Sequence, residues 1–194
     1  MPFDFQRLQP IPDVMLVTPA AFVDQRGWFL ESYKKTDFVA HGISFDLVQH
    51  NHSRSNAKGL LRGLHFQKAP MAQGKLVRCL AGEIFDVAVD IRKGSPTYGK
   101  WVSAALSASN HRMLWAPPGF AHGFMTMTDV AEVLYAATAE YDATLDRAIR
   151  WNDPQIAIRW PSSSPILSPR DANAPLLADA DHDFVWEGLQ RGTR

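Results

Sequence analysis

The chain has 194 residues, a length typical of one domain, and a jelly roll or barrel can occupy all of it without dividing. Lys plus Arg and Asp plus Glu both number 20, so the balanced charge gives no reason to expect nucleic acid or an anionic membrane as a partner. The single cysteine excludes an intramolecular disulfide, and no apolar run approaches the roughly 20 residues of a membrane-spanning helix.

The N-terminal stretch MPFDFQRLQP lacks the basic region and the apolar core of a signal peptide, so we expect a cytoplasmic protein. From Val14 to about Trp160, short apolar runs alternate with turn signals, which is typical of an all-β sandwich or barrel. The predicted strands, in chain order, are VMLVTP, GWFLESY, FDLVQHNHS, LLRGLHFQ, KLVRCLAG, EIFDVAVDI, KWVSAALS, HRMLWAP, HGFMTMT, AEVLYAATAEY and AIRW. The breaks between them are too short to be linkers.

Helix is a minor component of this pattern. A short helix is predicted over KKTDFVAHG, with Thr36 as its cap and Gly42 as its end, and another near APLLADADHDF. The Pro- and Ser-rich stretch WPSSSPILSPRDANAP predicts an extended segment on the surface. We therefore expect a single domain over residues 1–194, with a core of about 13–160 and a wrapping segment over 161–194.

In EIFDVAVDI, the residues Phe85, Val87, Val89 and Ile91 alternate with Ile84, Asp86, Ala88 and Asp90. This period of two predicts a strand with one core face and one mixed face.

A metal site is the first chemistry to consider for His65, which lies among leucines in GLLRGLHFQ. The position two residues later is Gln67, and no carboxylate follows before Lys75. An amide and a lysine are poor ligands for Zn²⁺ or Fe²⁺. His50 and His52 have a suitable spacing but no third ligand nearby. We expect no bound metal and no cofactor.

Acid–base chemistry without a metal is the second possibility. His65 can act as a base, Lys75 as a cation, Tyr135 as an acid and Asp171 as the group that orients the histidine. Taken singly, each side chain also has a structural explanation, as a satisfied strand histidine or a core tyrosine. The residue types alone leave both explanations open.

Several motifs taken together resemble one family. They are ESYKKTDF, VQHNHSRS, LRGLHFQ, QGKLVRCLAGEIFDVAVDIRKGSPTYGKWV, LWAPPGFAHGF, LYAATAEY, IRWNDP and LSPRDANAPLL, in order from about Asp13 to Leu177. This series closely resembles the dTDP-4-dehydrorhamnose 3,5-epimerases, which are cupin-type sugar-nucleotide epimerases. The resemblance implies a metal-free jelly roll, usually a homodimer, that inverts two carbons of a dTDP-linked 4-keto-6-deoxyhexose.

The resemblance also implies roles for individual residues. His65 matches the base, Asp171 its partner, Tyr135 the proton donor, and Lys75 the lysine near the sugar ketone. Tyr141 matches the aromatic residue that stacks on the nucleotide base. The remaining positions implied to hold substrate are Arg26, Glu31, Gln49, His50, Asn51, Arg62, His122, Asp146 and Arg170. Arginines suit a pyrophosphate because the guanidinium is always charged and can bind in a bidentate fashion.

Four positions depart from the family pattern. Ala136 and Arg170 stand where the family commonly has lysine, His50 where aspartate is common, and Asp146 where glutamate is common. An epimerase that inverts a single carbon, an isomerase on a related sugar nucleotide, and a non-catalytic sugar-nucleotide-binding jelly roll remain alternatives. Retention of the histidine and tyrosine argues against a protein that only binds.

Strand parity raises two geometric expectations. Tyr135 and Tyr141 are six residues apart, so on one unbroken strand they face the same way, about 20 Å apart. Arg62 and His65 are three residues apart and should face opposite ways. Either Gly63 marks a bulge, or Arg62 serves the site of a neighbouring subunit.

Overall fold

The computed structural model describes residues 2–188; residues 189–194, at the end of the predicted wrapping segment, lie outside the described residues. Its strands are β1 (Phe3–Arg7), β2 (Met15–Pro19), β3 (Ala21–Asp24), β4 (Gly27–Leu30), β5 (Gln49–Ser55), β6 (Leu61–Gln67), β7 (Lys75–Ala81), β8 (Glu83–Asp90), β9 (Trp101–Ser107), β10 (Met113–Ala116), β11 (Phe120–Thr126), β12 (Ala131–Ala137) and β13 (Asp146–Ala148). The α-helices are α1 (Lys35–Ala40) and α2 (Pro169–Ala172), and a 3₁₀ turn covers Leu177–Asp179.

Two antiparallel sheets form a sandwich, which confirms the predicted all-β jelly roll. The larger sheet has six strands in the order β1-β2-β10-β7-β12-β5, and the smaller has five in the order β13-β6-β11-β8-β9. Side chains such as Val77 and Leu114 from the larger sheet meet Ile84, Ala88 and Phe124 from the smaller sheet in a common core. β3 and β4 form a separate hairpin outside both sheets.

Both sheets are also covered on part of their outer faces. Phe38 of α1 packs on the larger sheet beside Met15 and Trp115, and Leu177 and Ile156 pack on the smaller sheet. For β8 this cover reverses the expected assignment of faces. Its apolar face lies under the C-terminal segment, and its mixed face, which includes Asp86, points into the sandwich.

The helix predictions are correct in place and wrong in detail. α1 begins at Lys35 after Lys34, which makes no side-chain capping bond, so Thr36 lies inside the helix rather than at its cap. α2 interrupts the stretch that was predicted to be extended: the Ser168 hydroxyl accepts a hydrogen bond from the Asp171 N–H, and Pro169 takes the first helical turn. Only a 3₁₀ turn forms in the last predicted helix.

A bulge at Gly63 is present in β6. His65 pairs with His122, but Arg62 pairs with Phe124, so β6 holds one more residue than β11 between these pairs. Gly63 has φ +122°, and a Cβ there would lie 2.6 Å from the Cα of Gly123. The extra residue turns Arg62 and His65 to the same side of the sheet. The difference in facing that strand parity raised is therefore explained by a bulge at Gly63.

We expect Gly63→Ala to destabilise the fold by about 2–4 kcal/mol, since it adds a backbone clash to a positive φ. Gly94→Ala is the control, because Gly94 has φ +82° but open space around its Cα, and should cost only about 1 kcal/mol. Urea unfolding of the two variants measures both values. Equal losses would contradict the close approach of the two strands.

Candidate active site

A cavity of about 560 Å³ opens between the two sheets. Its polar walls come from β6, β7, β11, β12 and α2, so residues far apart in the chain meet around one space. The predicted site residues that line it are Arg62, His65, Lys75, His122, Tyr135, Arg170 and Asp171.

His65 and Asp171 form a hydrogen-bonded pair at this cavity. The His65 Nε2 atom lies 2.6 Å from Asp171 Oδ1, and Asp171 is only 3% exposed. Burial raises the pKa of Asp171, but hydrogen bonds from His65, Ser168 and the Gly63 backbone outweigh it and leave the pKa below its usual value. The ionised carboxylate accepts the Nε2 proton, which leaves the other imidazole nitrogen able to take up a proton.

Lys75 and Tyr135 lie together on the wall formed by the larger sheet. The Lys75 Nζ atom is 6.0 Å from the centre of the Tyr135 ring. Burial lowers the pKa of Lys75 to about 8, against the opposing charges of Asp146 and Asp86. Burial, with Asp146, raises the pKa of Tyr135, so its hydroxyl is protonated at neutral pH and can donate a proton.

A chain of polar contacts runs from β5 to α2. The Gln49 side chain donates to Asn51 Oδ1 at 2.9 Å and accepts from the Tyr141 N–H at 2.8 Å. The Tyr141 hydroxyl donates to Asp146 at 3.2 Å, and Asp146 pairs with Arg170 at 2.7 Å. These contacts place the exposed Tyr141 ring near the residues of the cavity.

Tyr141 does not share a strand with Tyr135, so the expectation of one unbroken strand was wrong. β12 ends at Ala137, and Tyr141 lies in the connection that leads to β13. The separation of 20 Å that rested on the unbroken strand therefore has no basis in the fold.

The structure does not bring Arg26, Glu31 and His50 to the cavity of their own chain. Arg26 lies in the turn between β3 and β4, is 84% exposed at its side chain, and pairs with Asp24. Glu31 follows β4 directly. His50 faces a second, smaller pocket that includes Ala136 and Leu76.

Asp86 is a site residue that was not expected from the sequence. It is fully buried, and its Oδ1 atom lies 2.8 Å from Nε2 of His122, which does line the cavity. The available signal was an aspartate in the middle of an apolar strand, since a buried carboxylate needs a partner.

The pattern of residues 9–179 matches the family model described as dTDP-4-dehydrorhamnose 3,5-epimerase. The chain belongs to this family. It is 53% identical over 173 residues to the dTDP-4-dehydrorhamnose 3,5-epimerase of Shigella flexneri, a match that covers 89% of this chain and 95% of the relative. The predicted family, fold and isomerase class are therefore confirmed.

Solved structures of epimerases have the same fold. The dTDP-6-deoxy-D-glucose-3,5-epimerase of Legionella pneumophila, in complex with dTDP-4-keto-L-rhamnose, is 46% identical, with a TM-score of 0.86 over 91% of this chain and 93% of that one. A 3′-monoepimerase from Streptomyces bikiniensis, in complex with dTDP-quinovose, is 32% identical, with a TM-score of 0.83 over 89% and 88% of the two chains.

The four positions expected to depart from the family pattern fall into two neighbouring pairs. Ala136 and His50 are cross-strand partners of β12 and β5. Asp146 and Arg170 form the ion pair described above. In this epimerase, a shorter acid faces a longer base at the second pair.

Residues 2–188 contain neither a metal-binding cluster nor a membrane-spanning helix. No group of three or more His, Cys, Asp or Glu side chains in this part of the chain is placed to hold a metal ion. None of the helices described there is long and apolar enough to cross a membrane.

We expect Lys75 to react with an acylating reagent with a midpoint near pH 8, because burial lowers its pKa to about 8. Lys35 is the control, since its pairing with Asp46 raises its pKa above the usual value. Trace labelling across a pH series, read by peptide mass spectrometry, gives both midpoints. A Lys75 midpoint at or above that of Lys35 would contradict this electrostatic environment.

Proposed function

We propose that this chain inverts C3 and C5 of dTDP-4-dehydro-6-deoxy-D-glucose to give dTDP-4-dehydro-L-rhamnose, as a step of deoxysugar biosynthesis in the cytoplasm. The observation that carries the proposal is the His65–Asp171 hydrogen bond at a cavity that Tyr135 also lines. Inversion at carbon requires one group to remove a proton and another to return one from the opposite face. The complex of the Legionella relative with dTDP-4-keto-L-rhamnose supports the choice of sugar.

His65 is the proposed base. Its free ring nitrogen takes the proton from the carbon beside the ketone, and the electron pair of that C–H bond moves to form the enolate. The ionised Asp171 stabilises the resulting imidazolium and holds the ring in one orientation. Proton transfer by a positioned side chain typically contributes about 10²–10⁴ in rate.

Lys75 is the proposed partner of the enolate oxygen. Its ammonium is largely desolvated, so its charge acts more strongly on the developing anion than it would in water. Loss of one comparable donor costs about 2.7–4 kcal/mol of transition-state stabilisation. Tyr135 then donates its phenolic proton to the opposite face of the carbon. The phenolate recovers a proton from solvent and the His65 imidazolium releases its proton to solvent, which restores both groups.

Further residues of the cavity, and those in the chain of polar contacts beside it, are proposed to bind the nucleotide sugar. Arg62 and Arg170 suit the pyrophosphate, and Tyr141 offers an exposed ring to the base. The proposed contacts to the sugar and nucleoside are made by His122, Gln49, Asn51 and Asp146.

A homodimer is the proposed assembly. The β3–β4 hairpin stands outside both sheets and exposes Phe22, Val23, Trp28 and Phe29, an apolar surface that a monomer rarely leaves in water. Arg26 and Glu31 belong to this hairpin region and do not line their own cavity. We propose that the hairpin docks on the partner and that both residues serve the partner's site.

Inversion of a single carbon is the second candidate. The Streptomyces bikiniensis relative, 32% identical with a TM-score of 0.83, is a 3′-monoepimerase, so the same fold also serves that reaction.

For the proposed reaction, we expect the chain to exchange the protons at both C3 and C5 of dTDP-4-keto-6-deoxyglucose in deuterated water, as proton NMR measures. Exchange at one carbon would support the second candidate, and exchange at neither would refute the proposal. The same measurement on variants tests the roles of the two proposed catalytic residues. His65→Ala should abolish exchange at both C3 and C5. His41→Ala should not, since His41 stacks on Phe5 outside the cavity. Tyr135→Phe should reduce inversion more than exchange.

Co-expression of His65→Ala and Arg26→Ala subunits tests whether Arg26 acts on the partner's site. If Arg26 serves the partner's site, each mixed dimer has one site in which both His65 and Arg26 are intact. A statistical mixture is half mixed dimers, so we expect about a quarter of the wild-type activity. Each variant expressed alone should have low epimerase activity. His65→Ala lacks the proposed base, and Arg26→Ala loses a charged hydrogen bond worth about 1.5–3 kcal/mol. No recovery above the two parent variants would place Arg26 in its own site or outside any site.

A further inference from the structure

A second His–Asp pair lies in the cavity, apart from His65 and Asp171. His122 Nε2 lies 2.8 Å from Asp86 Oδ1, and Asp86 is completely buried. The other carboxylate oxygen, Oδ2, has no hydrogen-bond partner within residues 2–188. A buried polar atom left unpaired typically costs about 1–3 kcal/mol, so packing alone does not explain an aspartate here.

Asp86 also acts through its charge on Lys75, which lines the same cavity as His122. Burial has the largest effect on both groups, lowering the pKa of Lys75 to about 8 and raising that of Asp86. Against burial, Asp86 raises the pKa of Lys75 and Lys75 lowers that of Asp86, so the two charges attract each other. Asp86 therefore acts on two groups of the cavity, His122 through a hydrogen bond and Lys75 through its charge.

Asp146 and Arg170 are the other charged groups that act on Lys75. Asp146 raises the pKa of Lys75 and Arg170 lowers it, and these two side chains form an ion pair at 2.7 Å. The remaining titratable or charged groups at the cavity are Arg62, His65, Tyr135 and Asp171, of which Asp171 is bound to His65. Asp86 and Asp146 are thus the two anions that act on Lys75, and Asp146 is paired with Arg170 whereas Asp86 is paired with His122.

We propose that Asp86 is a positioning residue of the epimerisation, which fixes the ring of His122 through its hydrogen bond and stabilises the charge of the Lys75 ammonium at the substrate ketone. An ionised Asp86 accepts the Nε2 proton of His122, so the other ring nitrogen is left to accept a hydrogen bond from a substrate hydroxyl. Asp86 itself does not touch the reacting carbons. The proposal rests on the proposed function, because it assigns Lys75 to the enolate oxygen.

Asp86→Asn tests the proposal, since it keeps the shape of the side chain and removes its charge. We expect kcat to fall roughly a hundredfold, as for the loss of one well-placed donor. Without the carboxylate charge, Lys75 loses its proton at a lower pH, so the alkaline limb of the kcat/KM profile should move to lower pH by about one unit. A dTDP-linked 4-keto-6-deoxyhexose is the substrate, and initial rates are measured between pH 6 and pH 10.

Asp90→Asn is the matched control. Asp90 lies on the same face of β8 and is also fully buried, but it binds Arg92, Ser95 and Thr97. We expect this variant to lose stability while keeping the wild-type pH profile. If Asp86→Asn also loses only stability and keeps the wild-type alkaline limb, Asp86 is structural and the proposal is wrong.

A measurement on the unmodified chain covers the case in which Asp86→Asn does not fold. Two-bond proton–nitrogen NMR spectra of the imidazole rings report which nitrogen of His122 carries the proton. A proton on Nε2 supports the proposal, and a neutral ring protonated only on Nδ1 overturns it. Wild-type exchange activity is measured in the same samples, so failure of the proposed function, which removes that activity, is distinguished from failure of this inference.

Discussion

The hydrogen bond between His65 and Asp171 joins residues 106 positions apart, and the geometry of the site depends on it. His65 lies on β6 within the sandwich, whereas Asp171 arrives on a four-residue helix of the C-terminal segment. The segment reaches this position because it packs on the outer face of the smaller sheet, where Leu177 joins the cluster that includes Val87. Hydrophobic cover of a sheet therefore also delivers the carboxylate that orients the histidine.

The cavity brings several buried charged groups together. Lys75, Asp86 and Asp171 are shielded by the two sheets, and in such surroundings each charge requires a partner or shifts its protonation equilibrium. Asp171 resolves this through hydrogen bonds that favour the ionised form. Lys75 keeps a pKa of about 8, so it stays mostly charged at neutral pH.

The four positions expected to depart from the family pattern are neighbours in pairs. Asp146 and Arg170 form an ion pair in which the acid is shorter and the base longer than the residues expected there. Ala136 and His50 are partners on the neighbouring strands β12 and β5. The first pair also contacts Tyr141 through Asp146, so it links the connection after β12 to the helix that carries Asp171.

The sequence by itself determined the family, the all-β class and the residue types of the acid–base set, because period-two patterns and ordered motifs are local signals. It also located α1 and most of the strands. Tertiary structure alone decided which faces of β8 are buried, since the mixed face with Asp86 turns toward the cavity only when the C-terminal segment covers the other face. The bulge at Gly63 likewise follows from the close approach of Gly123, a contact between strands that no local pattern records, and it sets Arg62 and His65 on one side.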